Sequence, residues 1–182
     1  VAKTDQAHRF LSRQFQPQDI TQPDGRIETK RTAKRKYLAL LQGQLTQDTG
    51  TVDAPIGRNP KIRDRMMITH TGRDACTHWT VREHLYSDRC KSPFSFVELQ
   101  LETGRTHQIR VHMAHLGHPV VGDPQYGQGI EKVLKIKTQG QLLQAYHLQF
   151  IHPQSNEILT FQIDPDPEIT RVCTFLHSDF TG

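Results

Sequence analysis

Residues 94 to 123, FSFVELQLETGRTHQIRVHMAHLGHPVVGD, constrain the fold more than any other stretch because their hydrophobic period changes partway along. FSFVELQL carries aromatic and branched residues at a spacing that predicts a strand over 94–101. Beyond it Ile109, Met113 and Leu116 recur at i, i+4 and i+7, which predicts a helix over 106–116 with one buried stripe. Gly117 suits the left-handed residue just past a helix end, and Pro119 follows to stop continuation. A strand that feeds a helix through Gly104 sets Arg105 at the lip of the first turn, where binding residues are commonly displayed. Arg110, five residues on, lies about 140° around the helix. The two arginines do not share a face.

The remaining pattern supplies strands. KYLALL (36–41) puts Tyr37, Ala39 and Leu41 on one side, and THWTVREHLY (77–86) puts Trp79, Val81 and Leu85 opposite His78, Arg82 and His84. YHLQFIHPQSNEILTFQI (146–163) predicts a hairpin with Leu148 and Phe150 facing Leu159, Phe161 and Ile163. AHRFLSRQF (7–15) predicts a short helix, PQDITQPDG (17–25) a loop, and QDTGTVDAPIG (47–57) a turn leading into a basic loop. Strands with a few helices and no regular βαβ alternation indicate an α+β fold with a mixed, largely antiparallel sheet in a single domain spanning 1–182.

Charge narrows the partners. The net charge is only +4, but RIETKRTAKRK (26–36) holds six basic residues and one acid, and GRNPKIRDR (57–65) four and one. Blocks of this kind suit a polyanion such as nucleic acid, through neutralised phosphates and released counterions. Cys76, Cys90 and Cys173 form an odd set with no CxxC, a pattern of reducing compartments. No apolar run reaches membrane-spanning length, so a cytoplasmic location is expected. A metal site would have to use His112, His115 and His118, without a cysteine or carboxylate at ligand spacing. No metal and no cofactor are expected.

TGRTHQIRVHMAHLGHPVVGDPQYG (103–127) closely resembles the signature of the RluA-type pseudouridine synthases. KRKYLALLQG (34–43) resembles the family's Lys-x-Tyr strand, GTVDAPIGRNP (50–60) its Ala-Pro-Ile-Gly-Arg loop, and GQLLQAYHLQFIHP (140–153) its C-terminal strand, with Gln144 where the family usually has His. The resemblance implies a pseudouridine-synthase-like sheet flanked by helices, and an isomerase that detaches uracil N1 from ribose and rejoins the base through C5. The nucleophile of the family is the Asp of a His-Arg-Leu-Asp motif followed by a strand that ends in an Ala-Lys-Thr tail. VAKT (1–4) matches that tail, so the Asp is expected upstream of Val1, and residues 1–182 alone are expected to be inactive.

By the same resemblance Arg105 is the arginine that pairs with that Asp, and Tyr37 the tyrosine that stacks on the target base and takes part in proton removal. A guanidinium in salt-bridge reach keeps a carboxylate ionised despite burial. Lys34, Arg35, Arg58, Lys61 and Arg63 are candidate phosphate contacts, with His107, Gln108 and Arg110 supporting the helix and the RNA backbone, and Asp123 is read as structural. The implied partner is ribosomal or transfer RNA. The rival reading is an RNA-binding remnant without catalysis; a His-Arg-Leu-Asp encoded before Val1 distinguishes the two.

Overall fold

The computed structural model describes residues 2–16, 18–21, 23–24, 26–88, 92–129 and 134–178, and of residues 19–21, 27–30, 177 and 178 the backbone alone. Val1 and Cys90 lie outside the described residues. The chain runs α1 (Asp5–Gln14), β1 (Gln18–Thr21), β2 (Ile27–Lys30), β3 (Lys34–Gln42), β4 (Thr49–Asp53), β5 (Ile56–Arg58), β6 (Met66–Ile68), β7 (Cys76–Ser87), β8 (Ser92–Leu101), α2 (Gln108–His115), β9 (Leu143–Ile151), β10 (Ile158–Gln162) and α3 (Pro167–Ser178).

Six strands form the central sheet in the order β10-β9-β3-β8-β7-β4, each neighbour antiparallel. Both faces are covered. Ala39, Leu41, Trp79, Val97 and Leu99 pack on one side with Ile109 and Met113 of α2. Leu40, Leu85 and Phe94 pack on the other with Ile169, Val172 and Leu176 of α3. Residues 38 to 42 of β3 are therefore buried without a break, as a strand sandwiched between two layers must be. Each leucine of this run taken fully out of water contributes about 1.5–3 kcal/mol.

Three expectations need correction. The expected loop 17–25 contains β1, which pairs with β2 from Gln18↔Lys30 to Thr21↔Ile27; Pro17 and Pro23 flank this strand and leave its ladder N–H groups intact. The expected turn 47–57 contains β4, an edge strand that buries only Val52 and so shows little apolar pattern. In β7 a bulge between Val81 and Glu83 shifts the register against β8. One extra residue reverses the in-out alternation, so Trp79 and Val81 belong to the α2 side while Leu85 belongs to the α3 side.

The hairpin β9–β10 has the expected register, with Leu159↔Phe150 and Phe161↔Leu148, and the rings of Phe150 and Phe161 stack at 5.8 Å. α1 is capped by Thr4, whose hydroxyl accepts from Ala7 N at 3.2 Å. Gln144 donates to Asp164 O at 2.9 Å and accepts from Asp166 N at 2.7 Å, so it pins the segment that enters α3.

Candidate active site

The signature stretch is held by a short hydrogen-bond network. Gln108, 2% exposed, is its centre. Its Oε1 accepts from Thr103 Oγ1 at 2.7 Å and Arg105 N at 2.9 Å, and its Nε2 donates to Cys76 O at 2.9 Å and Thr77 Oγ1 at 3.0 Å. Thr103 Oγ1 in turn accepts from Cys76 N at 3.0 Å. The 103–105 turn is thereby fastened to the start of β7. The chain passes into α2 through His107, whose φ of 56° is left-handed and costly for a residue with a Cβ. α2 ends as the sequence predicts. Gly117 has φ 85°, and His118 N→Met113 O with Gly117 N→Ala114 O complete a Schellman motif.

α2 buries more than a stripe. Gln108, Ile109, Arg110, Val111, His112 and Met113 are all buried, while Leu116, expected in the stripe, is 37% exposed. His112 is fully enclosed; its ring nitrogens meet Thr77 Oγ1 at 2.9 Å and Ala54 O at 3.0 Å. Burial pushes its pKa down, so it is a neutral, satisfied core histidine. Among the described residues the three-membered group of metal-capable side chains is instead Cys76, His78 and Glu102, with ligand atoms within 4.8 Å of one another.

Arg110 and Asp123 form a buried bidentate pair, Nε to Oδ2 and Nη2 to Oδ1 both at 2.7 Å. Asp123 Oδ1 also accepts from Gln125 N at 2.9 Å and Tyr126 N at 3.0 Å. Burial alone would raise the Asp123 pKa, but Arg110 and these two N–H groups outweigh it and hold the carboxyl below its ordinary value. Tyr126 completes the cluster: its hydroxyl accepts from Met66 N at 2.8 Å and meets His107 Nδ1 at 3.2 Å, and the Arg110 and Arg65 guanidiniums lie 5.0 and 4.9 Å from its ring. Asp123 is structural, as expected. Arg110 is 8% exposed and committed to it, so the expected contact with the RNA backbone is corrected: this arginine lies inside the protein.

Arg105 is different. It is half-buried, its Nε donates to the Asp74 carbonyl at 2.9 Å, and it has no carboxylate partner among the described residues. Arg35, on the Tyr37 face of β3, donates to Thr103 O at 3.3 Å and lies over Phe15 at 5.8 Å. Tyr37 pairs in register with Leu99 and packs half-buried against the core beneath α2. The β3 face carrying Arg35 and Tyr37 thus meets the turn carrying Arg105. His107 is half-buried, and burial, then Arg110, lowers its pKa. Lys34, Arg58, Lys61 and Arg63 are exposed. The last three belong to the 57–65 segment, where Asn59 Oδ1 accepts from Lys61 N and Ile62 N.

The family model for RNA pseudouridylate synthases matches residues 1–115. An uncharacterized RNA pseudouridine synthase of Bacillus subtilis (strain 168) is 42% identical over 168 residues, covering 92% of this chain and 48% of its own length. The ribosomal large subunit pseudouridine synthase D of Nitrosomonas europaea is 40% identical over 168 residues, covering 89% and 42%. Among solved structures, human RNA pseudouridylate synthase domain containing 1 is similar at a TM-score of 0.62 and 34% identity, over 75% of this chain and 56% of that one. The chain belongs to the RNA pseudouridylate synthase family, of the RluA type. It spans about half the length of the curated relatives it matches. No helix among the described residues is long and apolar enough to cross a membrane.

Proposed function

We propose that these 182 residues are the larger, C-terminal part of the catalytic domain of a uridine-to-pseudouridine isomerase acting on ribosomal or transfer RNA in the cytoplasm. One observation carries the reading: Arg105 is held by the Thr103–Gln108 network at a half-buried turn and lacks a carboxylate partner among the described residues. That is the arrangement an incoming aspartate needs. The nucleophilic Asp belongs to a His-Arg-Leu-Asp motif that residues 1–182 do not contain. Arg105 keeps that carboxylate ionised, because a bidentate guanidinium offsets its loss of hydration. Tyr37 stacks on the base once the uridine has been flipped out, a step that costs a few kcal/mol. Lys34, Arg35, Arg58, Lys61 and Arg63 meet phosphates.

The test is release of tritium from RNA labelled at uridine C5. The 182-residue chain by itself should release none. The same chain preceded by the residues encoded upstream should release it if they include His-Arg-Leu-Asp. Release by the chain alone would overturn the assignment of the nucleophile. A gene that starts at Val1 would favour the RNA-binding remnant.

A further inference from the structure

Two arginine side chains meet over Gly104 without a carboxylate partner among the described residues. A Cβ built on Gly104 would lie 3.0 and 3.1 Å from the two Nη atoms of Arg35 and 3.3 Å from Nη1 of Arg31. Two guanidiniums therefore converge on one point of the turn, directly beside Arg105 in sequence. Nε of Arg31 and Nε of Arg35 are both buried without a hydrogen-bond partner. No carboxylate among the described residues pairs with Arg31, Arg35 or Arg105. Burial first, then the like charges of Arg35 and Arg105, lowers the Arg31 pKa. Left to itself such a group is costly, since like charges repel and each unsatisfied buried donor carries its desolvation penalty.

The segment is nevertheless fixed in place. Gln14, 5% exposed, exchanges two hydrogen bonds with Ile151 of β9, at 2.8 and 2.7 Å, and its carbonyl accepts from Ala33 N at 3.0 Å. That holds the chain between Arg31 and Arg35 against the sheet. Phe15 supports the Arg35 guanidinium from below. Held in this way, the terminal Nη groups of the two planar forks converge on a common point, with one Arg35 N–H spent on Thr103 O, which is a geometry that suits a tetrahedral oxyanion.

We propose that Arg31 and Arg35 form a clamp, across the side-chain-free surface of Gly104, for one RNA phosphate next to the nucleotide that enters the site. This rests on the isomerase reading of the site, and it adds Arg31 and the requirement for glycine at 104. Arg105 stays with the carboxylate; the other two bind and orient the backbone.

The experiment titrates a fluorescein-labelled RNA stem-loop into the 182-residue chain at several salt concentrations, with inorganic phosphate as competitor. Arg31→Gln and Arg35→Gln should each weaken binding. The double variant should flatten log K against log salt by roughly 0.7, the value for one phosphate on a single strand. Gly104→Ala changes no charge but pushes both guanidiniums aside, so it should lower affinity and weaken competition by phosphate. Arg171→Gln, on exposed α3 surface, is the charge control and should leave the slope within error.

A double variant that loses about 1.4 would mean two separate phosphates and would sink the shared clamp. So would an unchanged slope, or a Gly104→Ala chain that binds as tightly as the parent. Those results leave the isomerase reading standing. No affinity of the parent chain at low salt would remove both.

Discussion

Removing the Arg110 side chain tests whether the buried pair with Asp123 is a structural strut. Arg110→Ala leaves the Asp123 carboxylate, 5% exposed, without its guanidinium. Breaking a buried pair from one side costs about 3–5 kcal/mol. Here the lower end applies, because Gln125 N and Tyr126 N still donate to Oδ1. At roughly 2–4 °C per kcal/mol for a chain of this size, a cost of about 3 kcal/mol lowers Tm by about 6–12 °C. The assay is urea denaturation followed by far-ultraviolet circular dichroism, with an unchanged slope showing that the native and unfolded states remain comparable. Asp123→Asn and the double variant complete a cycle. The double should cost clearly less than the sum of the singles, by about 2 kcal/mol, because the second change removes the charge that the first stranded. A cost below about 0.5 kcal/mol for Arg110→Ala, the range of surface substitutions, or a coupling of zero, would refute the strut.

In the complete enzyme Arg105→Lys should reduce kcat far more than it reduces stability, whereas Arg110→Lys should show the opposite balance; equal effects on both quantities would merge the two roles. Glu98 accepts from Lys36 Nζ at 2.8 Å and from Arg82 and Tyr146, and although burial opposes it these partners hold its pKa down from 4.5 to about 2. A lowered carboxyl pKa stabilises the fold above the unfolded value and is lost as pH falls through the folded one, so Glu98→Gln should flatten the stability profile between pH 4.5 and about 2; an identical acid limb in parent and variant would contradict this. Gly50→Ala would drive a Cβ into the Trp79 ring, so the variant should lose several °C of Tm and alter the tryptophan emission, and a parent-like melt would show that β4 shifts freely.

The parts of the fold that were legible share a cause. In β8 the buried Val97, Leu99 and Leu101 alternate with half-buried neighbours, and in β3 the unbroken apolar run from Leu38 to Leu41 is buried on both sides, so the pattern in the sequence is the environment in the structure. The misread parts each break that link. β4 buries one residue of five, β1 has a single apolar residue, Ile20, among its four, and the bulge after Val81 lets one strand change faces partway. α2 misled in the opposite direction. Its pattern of one stripe implied a half-exposed helix, but Arg110 and His112 are buried too, and only their partners on β7, on the loop after β4 and at Asp123 make that affordable. Periodicity carries no signal for polar residues that are buried because something distant satisfies them.

The same limit explains how the site residues divided. Arg105 and Tyr37 could be marked because a long motif singles them out, and a motif also supplied Arg110 and Asp123 without saying that they bind each other. Gln108 acts through Thr103, Cys76 and Thr77, contacts set by the pairing of β7 with β8, so its role as the fastener of the turn needed the fold. Arg31 is the clearest case. In sequence it is one of six basic residues between 26 and 36, indistinguishable from its neighbours by composition. Three residues separate it from Arg35, and because Gln14 ties Ala33 toward β9 the two side chains return to the same point over Gly104. A run of charge is a statement about attraction at long range. Which two of its members close on one anion is decided by a glutamine at the end of α1 that is tied to β9, and a Gln14→Ala chain should therefore bind RNA more weakly while keeping every arginine it had.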